Sequence, residues 1–551
     1  MRLGLGLGIG AGGSAQSEPA DTRPKVWISS DIFGAGEKDD IQSFLSMIPY
    51  LNQINLMGFS CCLPGGSTQV AAVQNLITQV SADIAAYKAL DDSYPSAAEL
   101  AALIAQGKLS AAGAPGDGLN TAGSDALISA AHTSSPSDPL WVLIWGTYGD
   151  LAQALYDDPT ILPNIRVYGI AATTGFNYTT DAGAANYLIN NMVPGQPLDD
   201  LWFIANDSSF RGMYCGSGGE NTPQRDWPWE HAVGRGEIGD AFVDACLDLY
   251  GDGTTSGLKM GDTPSLLYVL DNVLVQGTGD DPAAAGGGWG GRFEKDAAKG
   301  NNYWKDVQSG QTLGSFVGAN TVYLHQADIL ADMAAKFALI ANPTIYTGET
   351  FSNLTVTDTT IAGRVSVPFG ETWTNYRTDR PMNAVNAGEM DYVTSAGSST
   401  SLHYLANTMP GVDYTVEGAM LFTSASALPG LLMNVSGSLS GGDGQFYQIL
   451  MDSAAPYNWT IGKDFASSGV AITSNTAAQA STITVGINTP FRMKMRREGA
   501  VITMWVRLVS GGGWVQCLQW TDASPLIGAG NAGVRGINTA RIYAFVARSN
   551  A

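Results

Sequence analysis

Charged residues are scarce in this chain, and most of those present are acidic. They make up 14% of the 551 residues, with 28 Lys and Arg against 50 Asp and Glu, so the formal net charge at pH 7 is −22. A chain with this charge is repelled by phosphate backbones and by anionic lipid surfaces. Nucleic acids and membrane surfaces are therefore not expected as partners, whereas cations and neutral ligands remain.

Cysteine is also rare, and long apolar runs are missing. The five cysteines form neither a disulfide framework nor a metal-ligand spacing. No run of about 18 apolar residues occurs, so no insertion into a membrane is expected. Apolar residues nevertheless make up 45% of the chain, which is enough to form buried cores.

Residues 1–23 are rich in glycine and begin with alternating Leu and Gly, which we interpret as an uncleaved tail. From residue 24 to residue 346, short apolar runs alternate with helical periodicity. Val26-Trp27-Ile28 is typical of a buried strand, and apolar residues at helical spacing follow it. This alternation predicts an α/β domain with a mainly parallel sheet flanked by helices.

The pattern changes over residues 347–551, where Ser, Thr and Gly are dense and apolar residues alternate with polar ones. Residues 491–496, Phe-Arg-Met-Lys-Met-Arg, place apolar side chains on one face of a strand and cations on the other. We therefore predict an antiparallel β-sandwich for this segment.

Three aspartates follow the first predicted strand. Asp31 comes directly after it, and Asp39 and Asp40 open the next helix. Ligands generally bind at this carboxyl edge of a parallel sheet. Like charges so close together favour a bound cation or a retained proton, and oxygen ligands suit Ca²⁺ or Mg²⁺. The alternative is that Asp39 and Asp40 cap the helix. Asp262 precedes another helical pattern, so it too could be either a metal ligand or a helix cap.

Three motifs in order resemble a bacterial family described as nucleoside hydrolase-like and sometimes labelled cellulose-binding. They are Asn-Asp-Ser-Ser-Phe-Arg-Gly-Met at 206–213, Gly-Asp-Thr-Pro-Ser at 261–265 and Gly-Trp-Gly-Gly-Arg-Phe at 288–293. The aspartates at 31, 39 and 40 are similar to the opening motif of the nucleoside hydrolase superfamily, although seven residues separate the first two, more than that motif has. The resemblance implies a Ca²⁺-dependent hydrolase of N-ribosyl or related glycosidic bonds that acts on a carbohydrate or nucleoside-like ligand.

The resemblance also implies roles for particular residues. Asp31, Asp40 and Asp262 would ligate the calcium ion together with a backbone carbonyl, that of Gly149. Asp39 would be the catalytic base that takes a proton from water.

Three further residues are candidates for contact with the substrate. Asn177 could hydrogen-bond the sugar, Trp289 could form a flat apolar wall, and His231 could supply a proton to the leaving group. An ordinary loop asparagine and a structural histidine are the alternatives for Asn177 and His231.

The segment after residue 347 is similar to jelly-roll domains of the concanavalin-like lectin type. Its tryptophans either stack on sugars or pack in the core: Trp459, Trp505, Trp514 and Trp520. The Leu-Gly start resembles N-termini of some tailed-phage virion proteins, which implies a homo-oligomer or virion assembly at an extracellular or virion surface.

Two functions follow from these expectations. The first is a Ca²⁺-dependent glycosidic hydrolase with an attached carbohydrate-binding module. The second is a non-catalytic glycan-binding structural protein, such as a phage tail fibre, spike or adhesin.

Overall fold

The structure is a computed structural model, and it describes most of the chain. The described residues are 21–33, 38–63, 69–111, 113–214, 226–247, 257–274, 281–283, 288–349, 359–360, 373–375, 382–385, 392–395, 401–422, 424, 427–437, 445–452, 458–465, 468–474, 483–536 and 540–550. The glycine-rich tail expected at residues 1–23 lies almost entirely outside them. Within these ranges, no helix combines the length and the apolar character needed to cross a bilayer.

The first part of the chain forms an eight-stranded sheet in the order β3-β2-β1-β4-β5-β6-β8-β7. All neighbours pair in parallel except β7, which runs antiparallel to β8. The strands are β1 Lys25–Ser30, β2 Asn55–Cys61, β3 Ile104–Gln106, β4 Leu140–Ile144, β5 Ile165–Ile170, β6 Trp202–Asn206, β7 Phe293–Lys295 and β8 Tyr303–Asp306. This confirms the predicted mainly parallel sheet.

Helices occupy most of the connections between these strands. The α-helices are α1 Lys38–Met47, α2 Gln69–Gln79, α3 Ser81–Leu90, α4 Ala97–Ala102, α5 Ala122–His132, α6 Gly149–Asp157, α7 Phe176–Thr180, α8 Ala182–Asn191, α9 Asp226–His231, α10 Gly236–Ala245, α11 Thr263–Leu274, α12 Asn320–Tyr323 and α13 Gln326–Phe337. Short 3₁₀ helices span Ile48–Tyr50, Pro159–Asn164 and Ser209–Met213.

The rest of the chain forms two antiparallel sheets, as predicted for a lectin-like sandwich. One has the order β10-β12-β13-β24-β15-β20-β21-β22, with β9 also paired to β24, and the other has the order β11-β14-β23-β16-β17-β18-β19. Strand β9, Ile345–Glu349, begins just before the predicted boundary at residue 347. The remaining strands are β10 Thr359–Thr360, β11 Trp373–Asn375, β12 Met382–Val385, β13 Tyr392–Ser395, β14 Ser401–Leu405, β15 Thr415–Leu421, β16 Gly430–Ser436, β17 Gln445–Asp452, β18 Asn458–Phe465, β19 Ser468–Ser474, β20 Phe491–Glu498, β21 Val501–Leu508, β22 Val515–Thr521, β23 Asn531–Gly536 and β24 Arg541–Arg548.

The two parts pack together through helix α10 and the sheet that contains β20. Arg492 on β20 is fully buried and donates hydrogen bonds to Asp240, Asp244 and Glu417. Asp240 and Asp244 lie on α10, so charges from both parts meet in one cluster. Burial alone would raise the pKa of Asp240, but Arg492 and the other nearby cations outweigh it and hold that pKa well below its usual range.

The strand order reverses between β1 and β4, which lie side by side although the chain visits β2 and β3 between them. At such a switch point the connections leave in opposite directions and open a crevice beyond the carboxyl ends of the strands. Asp31 directly follows β1, and Trp145 directly follows β4.

Candidate functional site

A pocket of about 530 Å³ lies at this carboxyl edge of the parallel sheet. Residues that follow β1, β4, β5 and β6 line it, together with the start of α1 and the segment before α11. We call it the acidic pocket, defined by its polar side chains Asp31, Asp39, Asp40, Asn177, Asp207, Arg211, Lys259 and Asp262. All five aspartates come from the sequence motifs, so the fold brings remote parts of the chain together.

The carboxylates of Asp31 and Asp40 are buried at the base of the acidic pocket, with 1% and 2% exposure. Ser30, the last residue of β1, donates a short hydrogen bond to Asp40. Gly146 lies close behind Asp31, because a Cβ atom there would come within 2.5 Å of the Asp31 backbone nitrogen. The neighbouring strand ends therefore set the position of both aspartates.

Helix α1 also holds the segment that carries Asp262. The side-chain amide of Gln42 donates to the carbonyl of Gly257 at 3.1 Å and accepts from the backbone nitrogen of Lys259 at 2.8 Å. At the other end of this segment, the hydroxyl group of Ser265 donates to the carbonyl oxygen of Asp262 at 2.7 Å. These contacts place Asp262 beside Asp40, with which it shares a side-chain hydrogen bond.

Asp39, the predicted base, forms an ion pair inside the acidic pocket. Its Oδ2 atom lies 2.8 Å from Nζ of Lys259, and both side chains are less than one-fifth exposed. Its Oδ1 atom is buried and has no hydrogen-bond partner in the part of the chain that the structure describes. This oxygen therefore has its lone pairs unused, and a water molecule or a ligand that reaches it could donate a hydrogen bond to it.

Burial is the main cause that raises the pKa of Asp40 to about 8, and the charge of Asp39 raises it further. The hydrogen bond from Ser30 and the charge of Lys259 act in the opposite direction. Without a cation, burial and the charge of Asp39 thus favour the protonated form of Asp40. Neither Asp39 nor Asp40 accepts a hydrogen bond from a backbone N–H group among the described residues, but both lie in the first turn of α1, where the helix N-terminus favours negative charge.

Three residues of the acidic pocket had no role in the sequence analysis: Asp207, Arg211 and Lys259. Asp207 and Arg211 lie in the quoted motif at 206–213, but the motif does not say which of its side chains face the pocket. Lys259 precedes Asp262 by three residues. Cations are scarce in this acidic chain, so a lysine next to an acidic motif is the signal that could have identified Lys259.

The part of the chain that forms the parallel sheet resembles a known protein family. Residues 25–293 match the family described as "Cellulose-binding Sde182, nucleoside hydrolase-like domain". This part of the chain is therefore similar to nucleoside hydrolase-like domains. No curated protein sequence matches the chain.

Solved structures that resemble the chain include a nucleoside hydrolase-related hypothetical protein from Saccharophagus degradans associated with carbohydrate metabolism. It is 17% identical, covers 80% of this chain and 99% of its own, and gives a TM-score of 0.43. For the lectin-like part, the carbohydrate-binding module CBM66 from Bacillus subtilis is 13% identical, covers 32% of this chain and 95% of its own, and gives a TM-score of 0.25. The Ca²⁺-bound exoplasmic/lumenal domain of VIP36 is 10% identical, covers 35% and 90%, and gives a TM-score of 0.25.

Asn177 lines the acidic pocket, but its side-chain amide nitrogen is already engaged. Nδ2 donates to the carbonyl oxygens of Trp145 at 2.6 Å and Ile170 at 3.3 Å. Asn177 thereby ties the loop after β5 to the end of β4. Only its Oδ1 atom is left to meet the hydroxyl groups of a sugar.

Gly149 is not brought to the acidic pocket. It is the first residue of α6, so its carbonyl oxygen belongs to the hydrogen-bonding ladder of that helix. A Cβ atom at this position would meet the side chains of Lys108 and Asp181, which form an ion pair at 2.9 Å. Gly149 thus leaves room for a different polar cluster.

Trp289 and His231 also lie outside the acidic pocket. Trp289 is buried in the core, because the neighbouring Gly290 lets the backbone approach Tyr268 more closely than a Cβ atom would allow. His231 ends α9, where its ring lies 5.5 Å from that of Trp227. Burial is the main cause that lowers the pKa of His231.

The tryptophans of the sandwich are also mainly engaged within the protein. Trp459 is fully buried in the core. Trp514 donates a hydrogen bond to Asp240 on α10 at 2.7 Å, and Nζ of Lys494 lies 4.0 Å from its ring centre. Lys494 also lies 5.3 Å from the ring of Trp505.

The residues of the acidic pocket fit a calcium ion in their chemistry. The carboxylates are buried oxygen ligands, and the Oδ1 atom of Asp39 has no partner among the described residues. Their spacing does not form a ready-made metal site: no group of three or more His, Cys, Asp and Glu side chains in the described ranges is placed to hold a metal ion. Lys259 supplies the nearby positive charge instead.

Proposed function

We propose that the acidic pocket binds a carbohydrate or nucleoside-like ligand and hydrolyses its glycosidic bond. One observation carries this proposal: Asp31, Asp39, Asp40 and Asp262 line a single pocket at the switch point of the parallel sheet. The description of the matching family, which names cellulose binding and a nucleoside hydrolase-like domain, supports the choice of ligand. The lectin-like sandwich would act as an attached carbohydrate-binding module and raise the local concentration of substrate.

In the proposed reaction Asp39 is the base. Its Oδ1 atom takes a proton from water while the water oxygen bonds to the anomeric carbon and the bond to the leaving group breaks. Lys259 holds the other carboxylate oxygen and so fixes the orientation of Asp39. His231 lies outside the pocket, so a different group must protonate the leaving group.

Replacement of the base is the test of this reaction. Nucleosides and oligosaccharides are screened for hydrolysis, and we expect Asp39→Asn to lower kcat by about 10²- to 10⁴-fold on any substrate found. Asp138→Asn is the control, because Asp138 also pairs with a lysine, Lys25 at 2.7 Å, but lies at an exposed position outside the acidic pocket. Undiminished hydrolysis in Asp39→Asn would remove Asp39 as the base.

If the screen shows binding of a glycan without turnover, the result supports the second function, a non-catalytic glycan-binding protein. In that case Asp39→Asn changes affinity for the glycan but no substrate is consumed. The virion or other extracellular setting, and the homo-oligomeric state, remain predictions. The resemblance behind them rests on residues 1–10, which lie outside the described part of the chain.

We further propose that Ca²⁺ binds in the acidic pocket, where it would stabilise negative charge and orient sugar hydroxyl groups. Asp31, Asp40 and Asp262 would hold the ion, and Asp40 would give up its proton on binding. Titration calorimetry of protein treated with a chelator should show Ca²⁺ binding that is tighter above the pKa of Asp40 than below it. Asp262→Asn should weaken binding at least about tenfold, whereas Asp138→Asn should not, and equal binding by both variants would contradict the site.

A further inference from the structure

Arg211 is a cation in the acidic pocket that contacts aromatic rings rather than carboxylates. Its guanidinium carbon lies 4.3 Å from the ring centre of Phe316, 5.3 Å from that of Phe210 and 5.5 Å from that of Tyr214. Arg211 and all three aromatic residues line the pocket. The rings hold the guanidinium group by cation–π contacts, which leave its N–H edge available.

No carboxylate in the described part of the chain pairs with Arg211, which also forms no hydrogen bond there. The nearest acidic residue in sequence, Asp207, is engaged elsewhere. Its side chain accepts hydrogen bonds from the backbone nitrogens of Thr173 at 2.8 Å and Thr174 at 3.3 Å, and from the hydroxyl group of Thr173. Asp207 is thereby held by the loop after β5.

The side of the pocket formed by Arg211 and its three aromatic neighbours is continuous with the side that holds the aspartates. Phe210 and Tyr214 pack beside Gly261, because a Cβ atom there would lie 3.2 Å from each ring. Gly261 directly precedes Asp262. A ligand in the acidic pocket therefore meets carboxylates on one side and a half-buried guanidinium group on the other.

We propose that Arg211 binds an anionic group of the ligand, so that the substrate class is an acidic carbohydrate that carries a carboxylate or a phosphate. This inference rests on the proposed function of the acidic pocket. Guanidinium groups match both anions in geometry, since two parallel N–H groups can donate to two oxygens. The aspartates repel an anion elsewhere in the pocket, so the same contact fixes the direction in which the ligand enters.

The test compares charged and neutral forms of one ligand. An oligogalacturonide and its carboxyl-reduced neutral counterpart, and a sugar phosphate and its unphosphorylated parent, are titrated calorimetrically into the full chain. We expect wild type to bind at least one anionic form about tenfold more tightly than its neutral form. Arg211→Gln should abolish that preference, because it should weaken binding of the anionic form much more than binding of the neutral form.

Two further variants separate this role from a loss of folding. Arg211→Lys keeps the charge but not the paired N–H groups, and should retain part of the preference. Arg166→Gln is the matched control: Arg166 is also half-buried over aromatic rings, those of Trp141 and Trp202, but it lies at the start of β5 and outside the acidic pocket. It should retain the full preference.

The outcomes distinguish this inference from the proposed function. Binding of neutral and anionic forms with equal affinity, or an equal loss for both in Arg211→Gln, overturns the role of Arg211 and leaves the carbohydrate-binding pocket in place. No binding of any of the four ligands by wild type overturns the proposed function and the inference with it. A preference for the phosphate alone supports the inference and identifies the anion.

Discussion

Replacement of Arg492 by Met should lower the free energy of unfolding by about 3–5 kcal/mol. Arg492 is fully buried between the sandwich and α10, where it donates to Asp240, Asp244 and Glu417. Met keeps most of the apolar volume but removes the charge, so the buried carboxylates lose their principal cation. Chemical denaturation followed by circular dichroism measures the loss.

Arg496→Met is the matched control for this variant. Arg496 lies on the same strand, β20, and pairs with Glu498, but its side chain is 32% exposed and that of Glu498 is 57% exposed. Exposed ion pairs contribute between about 0 and 1 kcal/mol, so this variant should be close to wild type. If both variants lost a similar amount of unfolding free energy, burial of Arg492 would not increase its contribution to stability.

Asp40→Asn should remove a large pH dependence of stability in protein freed of metal ions. Burial raises the pKa of Asp40 to about 8 in the folded chain, whereas the pKa of an aspartate in an unfolded chain is about 3.9. Between these values the folded chain binds a proton that the unfolded chain has released. The stability that this proton provides is present at about pH 4 and is lost as the pH rises through about 8.

Urea denaturation at several pH values, in the presence of a chelator, measures this effect. From about pH 5 to about pH 9, wild type should lose at least about 2 kcal/mol more than Asp40→Asn. Other buried acids, such as Asp306 with a pKa of about 7, contribute equally to both proteins and cancel in the comparison. Asp138→Asn, at an exposed ion pair, should follow wild type, and parallel curves for wild type and Asp40→Asn would contradict the raised pKa.

Much of the fold could be predicted because its signals are local. The apolar run at 26–28 lies inside β1, and the alternating segment at 491–496 lies inside β20, where Phe491, Met493 and Met495 face the core. An alternating pattern of this kind by itself predicts that the cations of β20 face solvent. Arg492 is instead buried, because α10 covers that face of the sheet, and an alternating pattern does not show what packs against its polar side.

The candidate site could be predicted only in part. Asp31, Asp39, Asp40 and Asp262 do line one pocket, and Asn177 joins them. Gly149, Trp289 and His231 do not, because contacts with Lys108, Tyr268 and Trp227 determine their surroundings. None of these contacts leaves a signal in the spacing of the residues along the chain.

The sequence by itself determined the class of each half of the chain and the aspartates that follow the first strand, because hydrophobic periodicity and the place of a residue after a strand are local properties. Only the tertiary structure decided that Lys259 pairs with Asp39 and that Arg211 faces the same pocket without a carboxylate partner among the described residues. Those positions depend on contacts between segments remote along the chain, such as the bonds from Gln42 that hold the Lys259 segment. The charge balance of the pocket is therefore a property of the folded chain.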